Sequence, residues 1–319
     1  MTKITDHIKA ANGKPIFSIE VIPPLKGDSL KNLLDNIEPL MEFKPPFVDV
    51  TYHREEYIER PLPDGTVQKI VTRKRPGTVG ICSAIMHRFG VDPVPHVLCG
   101  GFSREETEDF LIDLHYLGID NALVLRGDPA KPFKTFKAKE NGYAYAGDLV
   151  EQVANMNRGA YLHEEDEALA PSNFCIGVAA YPEKHFEAEN HDIDFDYLKQ
   201  KIDKGADYIV TQMFFDNQKY FDFVSRCRQH GISIPIIPGL KPLSTRKQLQ
   251  ILPKLFHLEM PADLVRAVEA CETDQQARQV GIEWGIQQSR ELMAAGAPVL
   301  HYYTMGKADN VMQIAQAIF

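Results

Sequence analysis

A chain of 319 residues, 44% hydrophobic and 25% charged, has the composition of a globular protein and the length for one large or two ordinary domains. Its formal net charge of −9, with no long Lys/Arg tract, speaks against a nucleic-acid partner. No run of about 18 apolar residues occurs, so no membrane span is expected. The segment Met1-Thr2-Lys3-Ile4-Thr5-Asp6 lacks the apolar core of a signal peptide. Cys82, Cys99, Cys175, Cys227 and Cys271 are scattered, odd in number and form no C-x-x-C pair. That pattern fits reduced thiols in a cytoplasm better than a disulfide frame or a zinc site.

Residues 15–24 read as a short strand, rich in Phe, Ile and Val and stopped by Pro23-Pro24. Alternation puts Phe17, Ile19 and Val21 on one face and Ser18, Glu20 and Ile22 on the other. Neither face has the pattern of a solvated sheet, so the strand is expected to be buried on both sides. A lone Glu20 there stays protonated at neutral pH unless it is paired. It is then either a general acid or one half of an ion pair at the strand mouth.

Asp28-Ser29 can cap a helix whose stripe is Leu30, Leu33, Leu34, Ile37, Leu40 and Met41. A strand over 47–52 follows Pro45-Pro46, with Asp49 and Thr51 on one face. Residues 53–77 break the rhythm as a charged hairpin turning at Asp64-Gly65. Thr78 can cap a helix that runs to about Phe89, before a strand over 94–99. Ser103-Arg104-Glu105-Glu106 is a capping box, and Gly118 suits the end of its helix. A strand over 122–125 runs into Arg126-Gly127-Asp128-Pro129. Residues 129–145 read as a loop, 147–157 as a helix, and 158–172, with Glu164-Glu165-Asp166-Glu167, as a second exposed excursion. A strand over 174–180 ends at Tyr181-Pro182-Glu183, and a helix over 194–204 ends at Gly205. A strand over 208–214 precedes a helix that Asp216 can cap and that ends near Gly231. Then come a strand over 235–239, a helix that Ser244 can cap, and two helices within 261–295. A strand over 299–304 and an amphipathic helix bearing Val311, Met312, Ile314, Ala315 and Ile318 complete the order.

Eight strands thus alternate with helices along the whole chain. Parallel strands need such crossovers. The arithmetic predicts a single (β/α)8 TIM barrel over 1–319, with insertions at about 53–77 and 158–172. The alternative is an open doubly wound sheet, which would carry a Gly-rich turn after its first strand. Here that turn is Pro23-Pro24-Leu25-Lys26-Gly27. Barrel chemistry sits where strands end at the C-terminal rim. Glu20, Thr51, His96, Arg126-Gly127-Asp128, Tyr181-Pro182-Glu183 with His185, Gln212 and Tyr303-Thr304 all fall there. Singly each has a plain structural role: a satisfied core histidine, a turn aspartate, an amide bonded to buried backbone. Together they mark one rim. His185 and His191 lack metal-ligand spacing, so no metal is expected; G-x-S-x-G and Walker A motifs are also missing.

These same residues carry a resemblance. The segment from Phe17 to Pro24 resembles the F-E-F-F-P-P opening of the methylenetetrahydrofolate reductases. Phe47–Tyr52 resembles their second strand, and Pro95-His96-Val97-Leu98-Cys99 their P-H-L-T-C segment. Leu125-Arg126-Gly127-Asp128 matches L-R-G-D, and the run from Ala179 to His185 matches A-A-Y-P-E-x-H. The run from Thr211 to Asp216, Ile236-Ile237-Pro238-Gly239 and His301-Tyr302-Tyr303-Thr304 follow in the family's order.

The resemblance covers the catalytic barrel alone, without the regulatory domain of the eukaryotic enzymes. It implies reduction of 5,10-methylenetetrahydrofolate to 5-methyltetrahydrofolate in one-carbon metabolism and methionine biosynthesis. FAD would carry hydride from NADH or NADPH in a ping-pong sequence, in a homo-oligomer. Glu20 maps to the general acid that protonates folate N10, and Asp128 to the carboxylate beside flavin and pterin. Gln212 and Tyr303 map to the folate side. Thr51, His96, Arg126, Gly127, Tyr145, Ala146, Tyr181 and His185 map to the FAD envelope, and Asp194 and Lys201 to its adenosine and phosphate end. The chain departs from the family at Tyr197 and Gln200, where Asn and Arg are common, and at Arg246, where some bacterial members place a stacking phenylalanine. Rival readings are another flavin-dependent barrel, such as one oxidising proline, and a ligand-binding subunit without turnover.

Overall fold

The computed structural model describes residues 1–129, 135–164 and 169–319. Its frame is one parallel sheet rolled into a barrel. The strands are β1 (Ile16–Val21), β2 (Phe47–Val50), β5 (Asp92–Leu98), β6 (Asn121–Leu125), β7 (Cys175–Ala180), β8 (Tyr208–Thr211), β9 (Ile236–Ile237), β10 (Gly239–Leu240) and β11 (Val299–Tyr303). They lie in the order β10-β11-β1-β2-β5-β6-β7-β8-β9. Pro238, which has no N–H, divides one strand into β9 and β10. β9 pairs with β8, β10 pairs with β11, and His301 N–H donates to the Pro238 carbonyl between them. The sheet is therefore closed, and the expected barrel is present.

The expected hairpin is β3 (Glu56–Pro61) with β4 (Val67–Thr72), antiparallel and separate from the barrel sheet. Leu62 N–H donates to the Thr66 carbonyl across its turn, and Gly65 takes φ +79°. The helices are α1 (Ile4–Ala10), α2 (Leu30–Ile37), α3 (Thr78–Phe89), α4 (Arg104–Tyr116), α5 (Ala146–Met156), α6 (His191–Asp203), α7 (Asn217–Gln229), α8 (Gln248–Phe256), α9 (Ala262–Glu269), α10 (Asp274–Ala294) and α11 (Asp309–Ile318). α1 was not expected from the sequence.

Strand alternation sorts the barrel strands' apolar residues between two of the three core clusters of the described residues. Phe17, Ile19, Val21, Val48 and Val50 face outward into the layer beneath the helices. Ile16, Phe47, Val94, Leu123, Cys175, Tyr208 and Val299 face the lumen and fill its lower end, with Ile4 of α1 among them. Gly177 leaves room for Tyr208, whose ring carbon would lie 2.3 Å from a Cβ at that position.

Local signals held where the cap lay on the chain's own first turn. Ser29 accepts from Lys31 N–H, Ser103 and Glu106 form the capping box, and Asp216 accepts from Gln218 N–H. Two caps are corrected. Thr78 is the first residue of α3 behind an extended Gly77, and its buried hydroxyl has no partner among the described residues. Ser244 caps nothing: α8 starts at Gln248, whose side-chain oxygen accepts from Ser244 N–H. The strand expected over 208–214 stops at Thr211. Residues 130–134 of the expected 129–145 loop, and Glu165, Asp166, Glu167 and Ala168 of the expected 158–172 excursion, lie outside the described residues.

Candidate active site

Above the apolar plug the lumen turns polar. Glu20 of β1 is paired in register with Asp49 of β2 on one side and Tyr303 of β11 on the other. Ser18 stands opposite His301 in the layer below, and its hydroxyl lies 2.7 Å from His301 Nδ1. His96 of β5 reaches between the two acids, with Nε2 3.4 Å from Glu20 Oε2 and 3.7 Å from Asp49 Oδ2. Neither approach makes a hydrogen bond, so among the described residues His96 Nε2, Asp49 Oδ2 and His301 Nε2 are buried without a bonded partner.

Burial dominates the electrostatics. It pushes Glu20 up to about 7, with His96 opposing and Asp49 reinforcing the rise. It pushes Asp49 up to about 6 against the pull of His301. The same burial lowers His96, with Glu20 opposing, and lowers His301. A carboxyl that rises beside an imidazole that falls favours the neutral pair, so the proton rests on Glu20. The strand is held by Thr304, whose hydroxyl donates to the Glu20 carbonyl at 2.8 Å. Glu20 keeps 12% of its side chain exposed, enough to meet a ligand from the mouth.

Around the rim, Tyr303 donates its hydroxyl to the Thr211 carbonyl at 2.6 Å, and Gly239 N–H donates to Thr211 Oγ1 at 3.0 Å. Gly239 is required there: a Cβ would lie 2.3 Å from both the Thr211 carbonyl oxygen and the Tyr303 hydroxyl. The Gln212 side-chain oxygen accepts from Met213 N–H at 2.9 Å, which fixes the amide at the end of β8.

On the opposite arc, Thr51 hydroxyl lies 3.1 Å from His53 Nε2. Arg126 pairs with Glu187 and lies 5.1 Å from the centre of the Phe136 ring. Gly127 takes φ +84°, and a Cβ there would meet Leu98 at 3.3 Å. Asp128 is exposed, its carbonyl accepting from Arg54 at 2.9 Å. Tyr181 meets His185 edge-on at 4.7 Å, and His185 N–H donates to Asp194 at 3.1 Å. Lys201 donates to the Ala179 carbonyl, and burial lowers its ammonium to about 8 while Asp194 opposes.

Tyr181, Asp194 and Lys201 line one cleft of about 260 Å³, which α7 completes with Lys219 and Arg226. Tyr145 is 62% exposed and lines a second cleft of about 570 Å³ with Arg104, Tyr143 and Tyr161. The two approach each other at Gly147, where a Cβ would lie 3.8 Å from Lys201. Ala146 opens α5 between them. Tyr197 and Gln200 are exposed on α6. Arg246 is exposed too, its N–H donating to Asp274 at 3.0 Å.

Sequence reasoning missed Ser18, Asp49 and His301 as members of the acid centre. The available signals were that Ser18 shares a face with Glu20 and Asp49 with Thr51.

A closed parallel barrel with titratable side chains converging at the C-terminal ends of its strands defines the class: an α/β barrel with an acid–base centre at its mouth. A family model described as methylenetetrahydrofolate reductase matches residues 3–318, and the chain belongs to that family. The 5,10-methylenetetrahydrofolate reductase of Pectobacterium carotovorum subsp. carotovorum is 31% identical over 96% of this chain and 91% of its own length. That of Salmonella typhimurium is 29% identical over 99% and 94%. Methylenetetrahydrofolate reductase (NADH) 1 of Arabidopsis thaliana is 32% identical over 98% of this chain and 50% of its own. The chain thus spans about half the length of its plant and yeast relatives. Among solved structures, an uncharacterized protein from Clostridium thermocellum that binds two copies of 5-methyl-5,6,7,8-tetrahydrofolic acid superposes with a TM-score of 0.55. It covers 98% of both chains at 14% identity, which shows a shared fold.

Proposed function

We propose that the protein reduces 5,10-methylenetetrahydrofolate to 5-methyltetrahydrofolate with electrons from NADH or NADPH, using FAD in a ping-pong sequence. The observation that carries the reading is Glu20. In a member of this family, a lumen-facing carboxyl raised to about 7 is an acid matched to neutral pH.

The residues on the other arc fit a flavin dinucleotide. Gly127 leaves backbone open beside Leu98, and Thr51, His96, Arg126, Tyr181 and His185 border the same side of the mouth. Asp194 and Lys201 suit its adenosine and phosphate end. The arginine that family members often carry on this helix is replaced by Gln200; Lys219, paired with Glu259, and Arg226, paired with Asp192, also line the cleft. Bound FAD would supply two-electron transfer, taking hydride from the nicotinamide and passing it to the folate methylene carbon.

The protein's own part is proton and position. Glu20 donates its proton to N10 of the folate, which breaks the C–N10 bond of the bridge and leaves an iminium at N5 for reduction. Burial and the neighbouring Asp49 hold the proton on Glu20 until then, against the opposing pull of His96. Gln212 can donate to and accept from the pterin edge. Asp128 puts negative charge beside the site of hydride transfer, which favours its departure. The five cysteines, all free and buried, support a reducing, cytoplasmic setting.

The test is Glu20→Gln on protein with a flavin spectrum. Bleaching by NADH or NADPH should survive, while reoxidation by methylenetetrahydrofolate falls by about 10²- to 10⁴-fold. Equal loss in both half-reactions would make Glu20 structural. A wild-type protein that bleaches but is not reoxidised by the folate would refute the reading as a whole.

A further inference from the structure

Lys241 follows β10 directly, and its side chain is only 7% exposed. The register of the two residues before it sets the side of the sheet it continues from. Gly239 pairs with His301 and faces the lumen, while Leu240 pairs with Tyr302 and packs outward with it. Lys241 precedes Pro242, which favours extended backbone, so alternation carries it back toward the lumen side one residue past the Leu240–Tyr302 pair. Lys241 therefore stands at the mouth between Gln212 on β8's end and Tyr303 on β11. This is the arc assigned to folate, across from the arc assigned to the flavin.

Its charge is uncompensated. Among the described residues no carboxylate pairs with it, and burial alone lowers its ammonium to about 8. Lys201, the other strongly buried lysine at the mouth, has both Asp194 and a backbone carbonyl. An unpaired ammonium removed from water gains little from a neutral carbonyl and much from a full negative charge.

We propose that Lys241 is a substrate-binding residue whose ammonium pairs with a glutamyl carboxylate of the folate tail as that tail leaves the lumen. The inference rests on the folate reading of the site. It extends that reading to a residue outside the family motifs quoted for the chain, and it makes the strand broken at Pro238 part of substrate recognition. Pro238 interrupts the strand, Gly239 makes room for Tyr303 and Thr211, and Lys241 then rises from the rim.

The test is a cycle of two proteins and two ligands. The ligands are 5-methyltetrahydrofolate and its diamide, in which both glutamyl carboxylates are neutral. Binding is read calorimetrically on the flavin-loaded protein, wild type and Lys241→Met, with Lys241→Arg as the charge-preserving control. Wild type should bind the acid at least about tenfold more tightly than the diamide, Lys241→Met should bind both alike, and Lys241→Arg should restore part of the difference. The flavin spectrum and the thermal melt of Lys241→Met should match wild type, which reports that it has folded. Equal discrimination by wild type and Lys241→Met overturns the proposal, as does a rise in KM for the nicotinamide instead of the folate. A wild-type protein that binds neither ligand overturns the folate reading itself; one that binds both equally overturns the role of Lys241 alone.

Discussion

Glu20, Asp49, His96 and His301 share one dry layer of the lumen, and that sharing sets how the protein should respond to pH. The folded state holds protons on Glu20 up to about pH 7 and on Asp49 up to about 6, whereas the unfolded chain releases them near 4.5 and 3.8. A raised carboxyl binds more protons folded than unfolded, so its contribution is fully present below the unfolded pKa and is lost as pH rises toward the folded one. Glu20→Gln keeps shape and removes this loss. The variant should melt above wild type at pH 8 by on the order of 1 kcal/mol per unit of raised pKa, and the gap should close below about pH 4.5. Melting curves across that range check it; a gap independent of pH would place the proton elsewhere. Alternation alone made Glu20 legible, because its neighbours Phe17, Ile19 and Val21 plainly wanted the other face. Ser18 and His301 were not legible as a pair, since 283 residues separate them and only closure of the sheet joins them. Lys241 was hidden because the strand expected over 235–239 stops two residues short of it, and Pro242 follows at once.

At the scale of elements, the hairpin of β3 and β4 stands apart. Its apolar side chains Tyr57, Ile58, Val67 and Val71 are all about half exposed or more. The ties to the rim lie beyond it, where Lys26 N–H donates to the Lys74 carbonyl and Arg75 to the Pro23 carbonyl. Replacing residues 56–72 with a short Gly/Ser linker should therefore change stability by less than about 0.5 kcal/mol. A thermal melt decides this, and a loss of several kcal/mol would mean the hairpin is part of the core. Its turn was readable from Asp64-Gly65 because hairpin turns are written in two residues. The caps at Thr78 and Ser244 misled for the opposite reason. A capping residue works only if the backbone at that residue is still extended, and whether it is depends on how the chain crosses the rim before the helix begins.

The barrel as a whole was countable, because each β/α unit announces itself locally, and eight units admit few arrangements. What the count does not give is the seam. β1 pairs with β11 over five residues, and Thr304 bonds back to the Glu20 carbonyl. Without β11 the strands β1 and β10 would each present a bare edge, and the lumen would lie open along its length. A chain ending at residue 296 should show no cooperative melt, as followed by near-UV circular dichroism. A sharp transition in that truncated chain would mean that the remaining strands form a stable open sheet.

The apolar plug carries one more consequence. Ile4 lies under the lumen, and its N–H donates to the Asn121 side chain at the barrel floor. The barrel is thus a cup and not a tunnel. Whatever enters must turn back and leave by the way it came, so every ligand that reaches Glu20 has to pass the same mouth.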